Sequence, residues 1–169
     1  METAVGRMSG RNTLDGRSLS VTTRRARRKR KKNKDNLGEE TMISVAYIDD
    51  DENLAYVVCR LCERCGGVSM HACSSGEDAL KWLSHHPADV IVTDFQMSGM
   101  NGIELVKKIR ESGNTTPCII FTGMEIESVI REATLQSIGI FGCLTKDYPI
   151  RRLIPDLMEL IVRAAVQSP

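Results

Sequence analysis

At 169 residues, 41% hydrophobic and 27% charged, the chain holds one domain's worth of core material plus an appendage, and no second large catalytic domain is expected within it. One Trp, three Tyr and three Phe make that core mainly aliphatic. No apolar run approaches the roughly 18 to 20 residues that span a bilayer and no apolar signal stretch opens the chain, so a soluble, unexported, cytoplasmic protein with six reduced cysteines is expected.

The formal charge of +1 conceals an asymmetry. Residues 1–40 carry twelve Lys/Arg against five Asp/Glu, net +7, while residues 41–169 are net −6. Eight of the nine residues from Arg24 to Lys32 are basic (Arg24, Arg25, Arg27, Arg28, Lys29, Arg30, Lys31, Lys32). With no sustained apolar periodicity, residues 1–41 read as a disordered basic arm, and the folded domain is placed at 42–167.

From Met42 onward short apolar runs alternate with helix-period stretches, the pattern of an α/β fold with a parallel sheet and crossover helices. In chain order the spacing predicts a strand over Ser44–Ile48, a helix over Glu52–Cys65, a strand over Ser69–Cys73, a helix over Glu77–Ser84, a strand over Val90–Thr93 and a helix over Gly102–Glu111. A strand over Cys118–Phe121, a helix over Ile126–Ile138, a strand over Gly142–Leu144 and a helix over Ile150–Val166 complete the series. The strands are short and continuously apolar, so all five are expected to be buried. Ser74 or Ser75 is placed to cap the second helix, Pro149 suits the first turn of the last, and Gly66-Gly67, Gly113 and Gly139 follow helices where a left-handed residue closes the final turn.

A parallel sheet covered on both faces keeps its ligand crevice at the carboxyl ends of its strands. Those ends run into Asp49-Asp50-Asp51, Asp94, Thr122 and Lys146. Any one of them is an ordinary loop residue. Together, carboxylates, a hydroxyl and an ammonium along one edge are the parts of a site for a divalent cation and a phosphoryl group. Mg²⁺ prefers hard oxygen ligands such as Asp49 and Asp50. Asp94 is placed as a carboxylate nucleophile toward phosphorus, with Lys146 balancing charge and the Thr122 hydroxyl donating to a phosphoryl oxygen.

The segments VAYIDDDENL, DVIVTDFQMSGMNGIELVKKI, PCIIFTGM and GIFGCLTKD resemble, in order and spacing, the receiver (CheY-like) domain of two-component response regulators over about residues 42–165. The resemblance implies a doubly wound, flavodoxin-like sheet of five parallel strands in the order 2-1-3-4-5 with five helices. It implies that Asp94 is the phosphorylated aspartate, and that Asp49, Asp50, Asp94 and the Gln96 backbone carbonyl hold Mg²⁺. Thr122 would be the switch hydroxyl and Lys146 the phosphate-pairing lysine. The expected role is a signalling switch of the single-domain type rather than an enzyme, taking phosphate from a sensor histidine kinase or a histidine phosphotransfer protein and docking onto a downstream protein.

Three positions depart from the family pattern. Cys143 stands where an aromatic usually gates the switch. Asp147 replaces the proline after the lysine, where a cis peptide would cost roughly 2.5–4 kcal/mol. The common Met-Pro-Gly-Met-Asp-Gly loop reads Met97-Ser98-Gly99-Met100-Asn101-Gly102, which is expected to loosen it. Gln96 and Met124 occupy positions that tune phosphoryl lifetime in the family.

Other features have plainer readings. Cys59, Cys62 and Cys65, followed by His71 and Cys73, invite a metal site, yet they lie along an amphipathic helix with Leu54, Val58 and Leu61 and read as core. His85-His86-Pro87 reads as a helix end. The arm lacks interleaved aromatics for base stacking, and nucleic-acid contact, an address or docking segment, and upstream sequence from a misassigned start all stay open. Three competing functions are weaker. A phosphatase of the same chemistry usually has an acid two residues after its nucleophile, where Gln96 stands; a nucleotide enzyme would need a phosphate-binding glycine loop; and a phosphorylation-independent scaffold, anchored by the arm, would have no need of the acidic set.

Overall fold

The computed structural model describes residues 42–167, and the expectations for the arm lie outside them. Strands and helices alternate as β1 Ile43–Ile48, α1 Glu52–Cys65, β2 Val68–Cys73, α2 Gly76–Leu83, β3 Val90–Thr93, α3 Gly102–Glu111, β4 Cys118–Thr122, α4 Ile126–Leu135, β5 Gly142–Thr145 and α5 Ile150–Gln167. All neighbours in the sheet are parallel, in the order β2-β1-β3-β4-β5. The winding reverses between β1 and β3, and the register pairs Ile48 with Thr93, so the residues that follow both strands meet at one point.

Successive residues of a strand face opposite sides of its sheet, and the core divides accordingly. Val45, Tyr47, Val90, Val92, Ile119 and Phe121 pack with Ala55, Val58, Cys59 and Cys62 of α1 and with Leu153, Leu157 and Ile161 of α5. Ala46, Ile48, Ile91, Cys118 and Ile120 pack on the other side with Ala79 of α2, with Ile103, Val106 and Ile109 of α3, and with Val129 and Ala133 of α4. The short apolar runs of β1, β3 and β4 are thus covered on both faces.

The expectation that every strand is buried fails at the two edges. In β2 only Val68 and Cys73 are buried, while Ser69, His71 and Ala72 are exposed, and all of β5 is half-buried. An edge strand has a neighbour on one side only, so fewer groups cover it. Helix ends also differ. Helix α4 stops at Leu135 rather than Ile138, because Ser137, at φ 56°, takes the left-handed turn expected of Gly139 and the Ile138 N–H returns to the Ala133 carbonyl. Pro149 lies just before α5, where its carbonyl accepts from the Arg152 and Leu153 N–H groups.

Caps explain the other starts. Asp51 accepts from the Asn53 and Leu54 N–H groups, Ser75 from that of Asp78, and Asn101 forms a reciprocal box with Glu104. Ser75→Ala is expected to lower the unfolding free energy by about 1 kcal/mol in urea titrations.

The cysteine-rich stretch belongs mainly to the core. Cys59 and Cys62 are buried, and burial pushes their thiols up to about 11 and about 12, away from the thiolate a metal would need. Cys65 instead lies exposed at the end of α1, and all six cysteines are free thiols. His71 stacks on Trp82 at 4.2 Å between ring centroids, with His86 on the other face at 4.9 Å.

Candidate functional site at the strand ends

Asp49 follows β1 and is 1% exposed. A carboxylate so buried persists only with donors around it, and three are present. The Tyr47 hydroxyl donates to Oδ2 at 3.0 Å, the Asp51 N–H donates to Oδ1 at 3.1 Å, and Lys146 Nζ donates to Oδ2 at 2.7 Å. Burial, reinforced by the neighbouring Asp49 charge, pushes the Tyr47 phenol far above its ordinary value, so it remains a proton donor. Asp51, one of the acidic run after β1, is committed to the α1 cap.

Asp94 follows β3 beside β1, with its N–H donating to the Ile48 carbonyl at 2.8 Å. Its Oδ1 accepts from the Phe95 N–H at 2.6 Å and the Gln96 N–H at 3.3 Å, and its Oδ2 accepts from Lys146 Nζ at 2.8 Å. The chain then turns into α3 through Gly102, whose N–H donates to the Phe95 carbonyl at 2.9 Å. A Cβ at Gly102 would run into the Asp94 carbonyl oxygen and lie 3.1 Å from Phe95 Cα. The close approach of α3 to the Asp94 backbone therefore requires glycine at this place.

Lys146 leaves β5 with its N–H on the Thr122 carbonyl at 2.7 Å. Its side chain reaches over β4, 5.5 Å from the Phe121 ring centroid, to the carboxylates at the ends of β3 and β1. All peptide bonds among the described residues are trans, including the one before Asp147.

Asp50 is exposed, and Ser98 donates both its N–H and its hydroxyl to Asp50 Oδ2, each at 2.8 Å. These bonds hold the Asp50 carboxyl below its usual range. They also correct the expectation of a loosened loop, since Ser98 ties that loop to the end of β1. One oxygen from each of Asp49, Asp50 and Asp94 lies within 4.8 Å of the others. Two like charges about 4 Å apart repel by about 4 kcal/mol at the effective dielectric of a protein surface, and one ammonium does not neutralise three carboxylates. The hard, oxygen-only donor set fits a small divalent cation.

The remaining sequence-predicted residues border this cluster. Thr122 is fully buried at the end of β4, and its Oγ accepts from the Met124 N–H at 3.1 Å. Gln96 is exposed in the loop after Asp94. Cys143 lies half-buried in β5 beside Ile120, and burial pushes its thiol up to about 11.

A family model described as the response regulator receiver domain matches residues 45–157. The chain belongs to the response regulator receiver family. The heme response regulator HssR of Staphylococcus epidermidis is 30% identical over 127 residues, which are 75% of this chain and 55% of that protein. The virulence sensor protein BvgS of Bordetella bronchiseptica is 35% identical over 109 residues, 61% of this chain and 9% of that protein. The chain thus spans about half the length of one relative and a small part of the other. Among solved structures, the receiver domain of the Francisella response regulator 1452 superposes with a TM-score of 0.60 at 31% identity, covering 71% of this chain and 97% of that one. The receiver fold is the one described above, the five-stranded parallel sheet in the order β2-β1-β3-β4-β5.

Three residues of this receiver site were not singled out as site residues in the sequence. Tyr47 lies two residues before Asp49 on the same face of β1, a spacing that marks it in retrospect. Ser98 stands out in the sequence as a departure from the family loop, but its two bonds to Asp50 tie the loop instead of loosening it. Gly102 reads as an ordinary helix start until the backbone of Asp94 is placed beside it.

Proposed function

We propose that this receiver is a phosphoacceptor switch of a two-component phosphorelay. The observation that carries the reading is Lys146, whose ammonium joins Asp49 and Asp94 at the point where the sheet's winding reverses. An Asp94 carboxylate oxygen attacks the phosphorus of a phosphohistidine on a sensor kinase or phosphotransfer protein, the N–P bond breaks, and the imidazole leaves with a proton from solvent. The Phe95 and Gln96 N–H groups hold the other oxygen and fix the direction of attack. Asp49, Asp50, Asp94 and the Gln96 backbone carbonyl would hold Mg²⁺, which supplies charge neutralisation as two anions meet. Lys146 pairs with the transferred phosphoryl group, and the Thr122 hydroxyl, at the neighbouring strand end, turns to donate to it.

The output is a population shift of the surface around β4, α4 and β5 toward a form that docks on a downstream protein. With Cys143 in β5, that shift proceeds without an aromatic gate at this position. The chemistry is self-modification and hydrolysis within a switch rather than turnover of a diffusible substrate, and the setting is cytoplasmic. Among the described residues no helix is long and apolar enough to cross a membrane.

Intact-mass analysis of the full chain with Mg²⁺ and a small acyl-phosphate donor tests this. A phosphoryl adduct is expected that disappears in Asp94→Ala and on chelation of the metal. Absence of the adduct in the wild type, together with absence of a beryllium-fluoride complex, would overturn the reading and leave a phosphorylation-independent scaffold.

A further inference from the structure

We propose that Ser98 is a positioning residue of the metal site, acting through Asp50, an inference that rests on the metal-binding role proposed above. Among the described residues Lys146 bridges Asp49 and Asp94 but makes no ion pair with Asp50. Asp50 is exposed, and its side chain would otherwise turn among several rotamers. Two donors from one residue stop that rotation, the Ser98 N–H and the Ser98 hydroxyl, both on Oδ2 at 2.8 Å. Held this way, Asp50 keeps an oxygen within 4.8 Å of those of Asp49 and Asp94, the spacing at which a single cation is shared.

The loop is shaped to make the contact. Gly99, at φ 83°, turns the chain so tightly that the Met100 N–H donates back to the Ser98 carbonyl at 3.1 Å. Ser98 is thereby held over a residue 48 positions earlier in the chain. In the family pattern this position is proline, which has neither an N–H nor a hydroxyl, so both bonds come from this chain's own substitution. Hydrogen bonds that orient a ligating carboxylate commonly contribute tenfold or more to metal affinity.

Titration of the full chain with Mn²⁺, the free ion being counted by electron paramagnetic resonance, tests the inference without reference to phosphorylation. Ser98→Ala removes one donor and is expected to raise the Mn²⁺ dissociation constant about tenfold, and Ser98→Pro, lacking both, by at least as much. Ser98→Thr keeps both donors and should stay within about twofold of the wild type, a rescue that a general effect on loop packing would not give. Equal or tighter binding by Ser98→Ala and Ser98→Pro, or binding by Ser98→Thr as weak as by Ser98→Ala, would overturn the role of Ser98 while the metal-site reading stands. Failure of the wild type itself to bind Mn²⁺ would overturn both.

Discussion

Lys146→Met is expected to lower the unfolding free energy of the full chain by about 3 kcal/mol at neutral pH, the low end of what removal of one partner from a buried pair costs. The low end applies because 16% of the Lys146 side chain remains exposed, whereas Asp49 is 1% exposed and cannot turn to water. Methionine fills the same path over Phe121 but leaves Asp49 and Asp94 facing each other without their shared ammonium. Asp94→Asn should behave oppositely, with stability unchanged or raised, since it removes one of the mutually repelling carboxylates and leaves Lys146 paired with Asp49. Urea denaturation of the two variants side by side checks the contrast. Equal losses in both would mean that the Lys146–Asp94 pair outweighs the repulsion between Asp49 and Asp94.

Gly102→Ala is expected to cost about 2–3 kcal/mol and to depress phosphoryl incorporation at Asp94. Helix propensity alone predicts a gain of up to about 1 kcal/mol, because Gly102 lies in α3 and alanine is the better helix former. The added Cβ, however, meets backbone and not the end of a flexible side chain, so either α3 or the Asp94 segment has to move. Gly99→Ala supplies the control, since a Cβ there meets nothing within 4 Å and only the φ of 83° opposes it, worth about 1 kcal/mol. Thermal melts of both variants separate the two causes, and intact-mass phosphorylation of Gly102→Ala reads the effect on Asp94. A neutral or stabilising Gly102→Ala would show that α3 has room to shift away from Asp94.

The parts of this receiver that were legible in the sequence are those set by local pattern. The apolar runs of β1, β3 and β4 signal buried strands because both faces of the sheet are covered, and the strand-end rule brings Asp49, Asp94 and Lys146 to one edge. The misreadings have a common origin in neighbours distant along the chain. Edge exposure of β2 depends on which strand pairs with it, not on its own six residues. Ser98 looked like a weakened turn because its partner, Asp50, lies in another motif.

The hydrogen bonds that balance the acidic cluster join residues 97 and 52 positions apart, from Asp49 and Asp94 to Lys146. Closing chain loops of that length before any contact compensates them is entropically unfavourable and slows folding. In the native register the pairing of β1 with β3 sets the two like-charged strand ends side by side, and their counter-charge comes from β5. The strand that completes the sheet also brings the ammonium that offsets part of this repulsion, which makes the geometry of the acidic cluster a property of the finished fold rather than of any separable half.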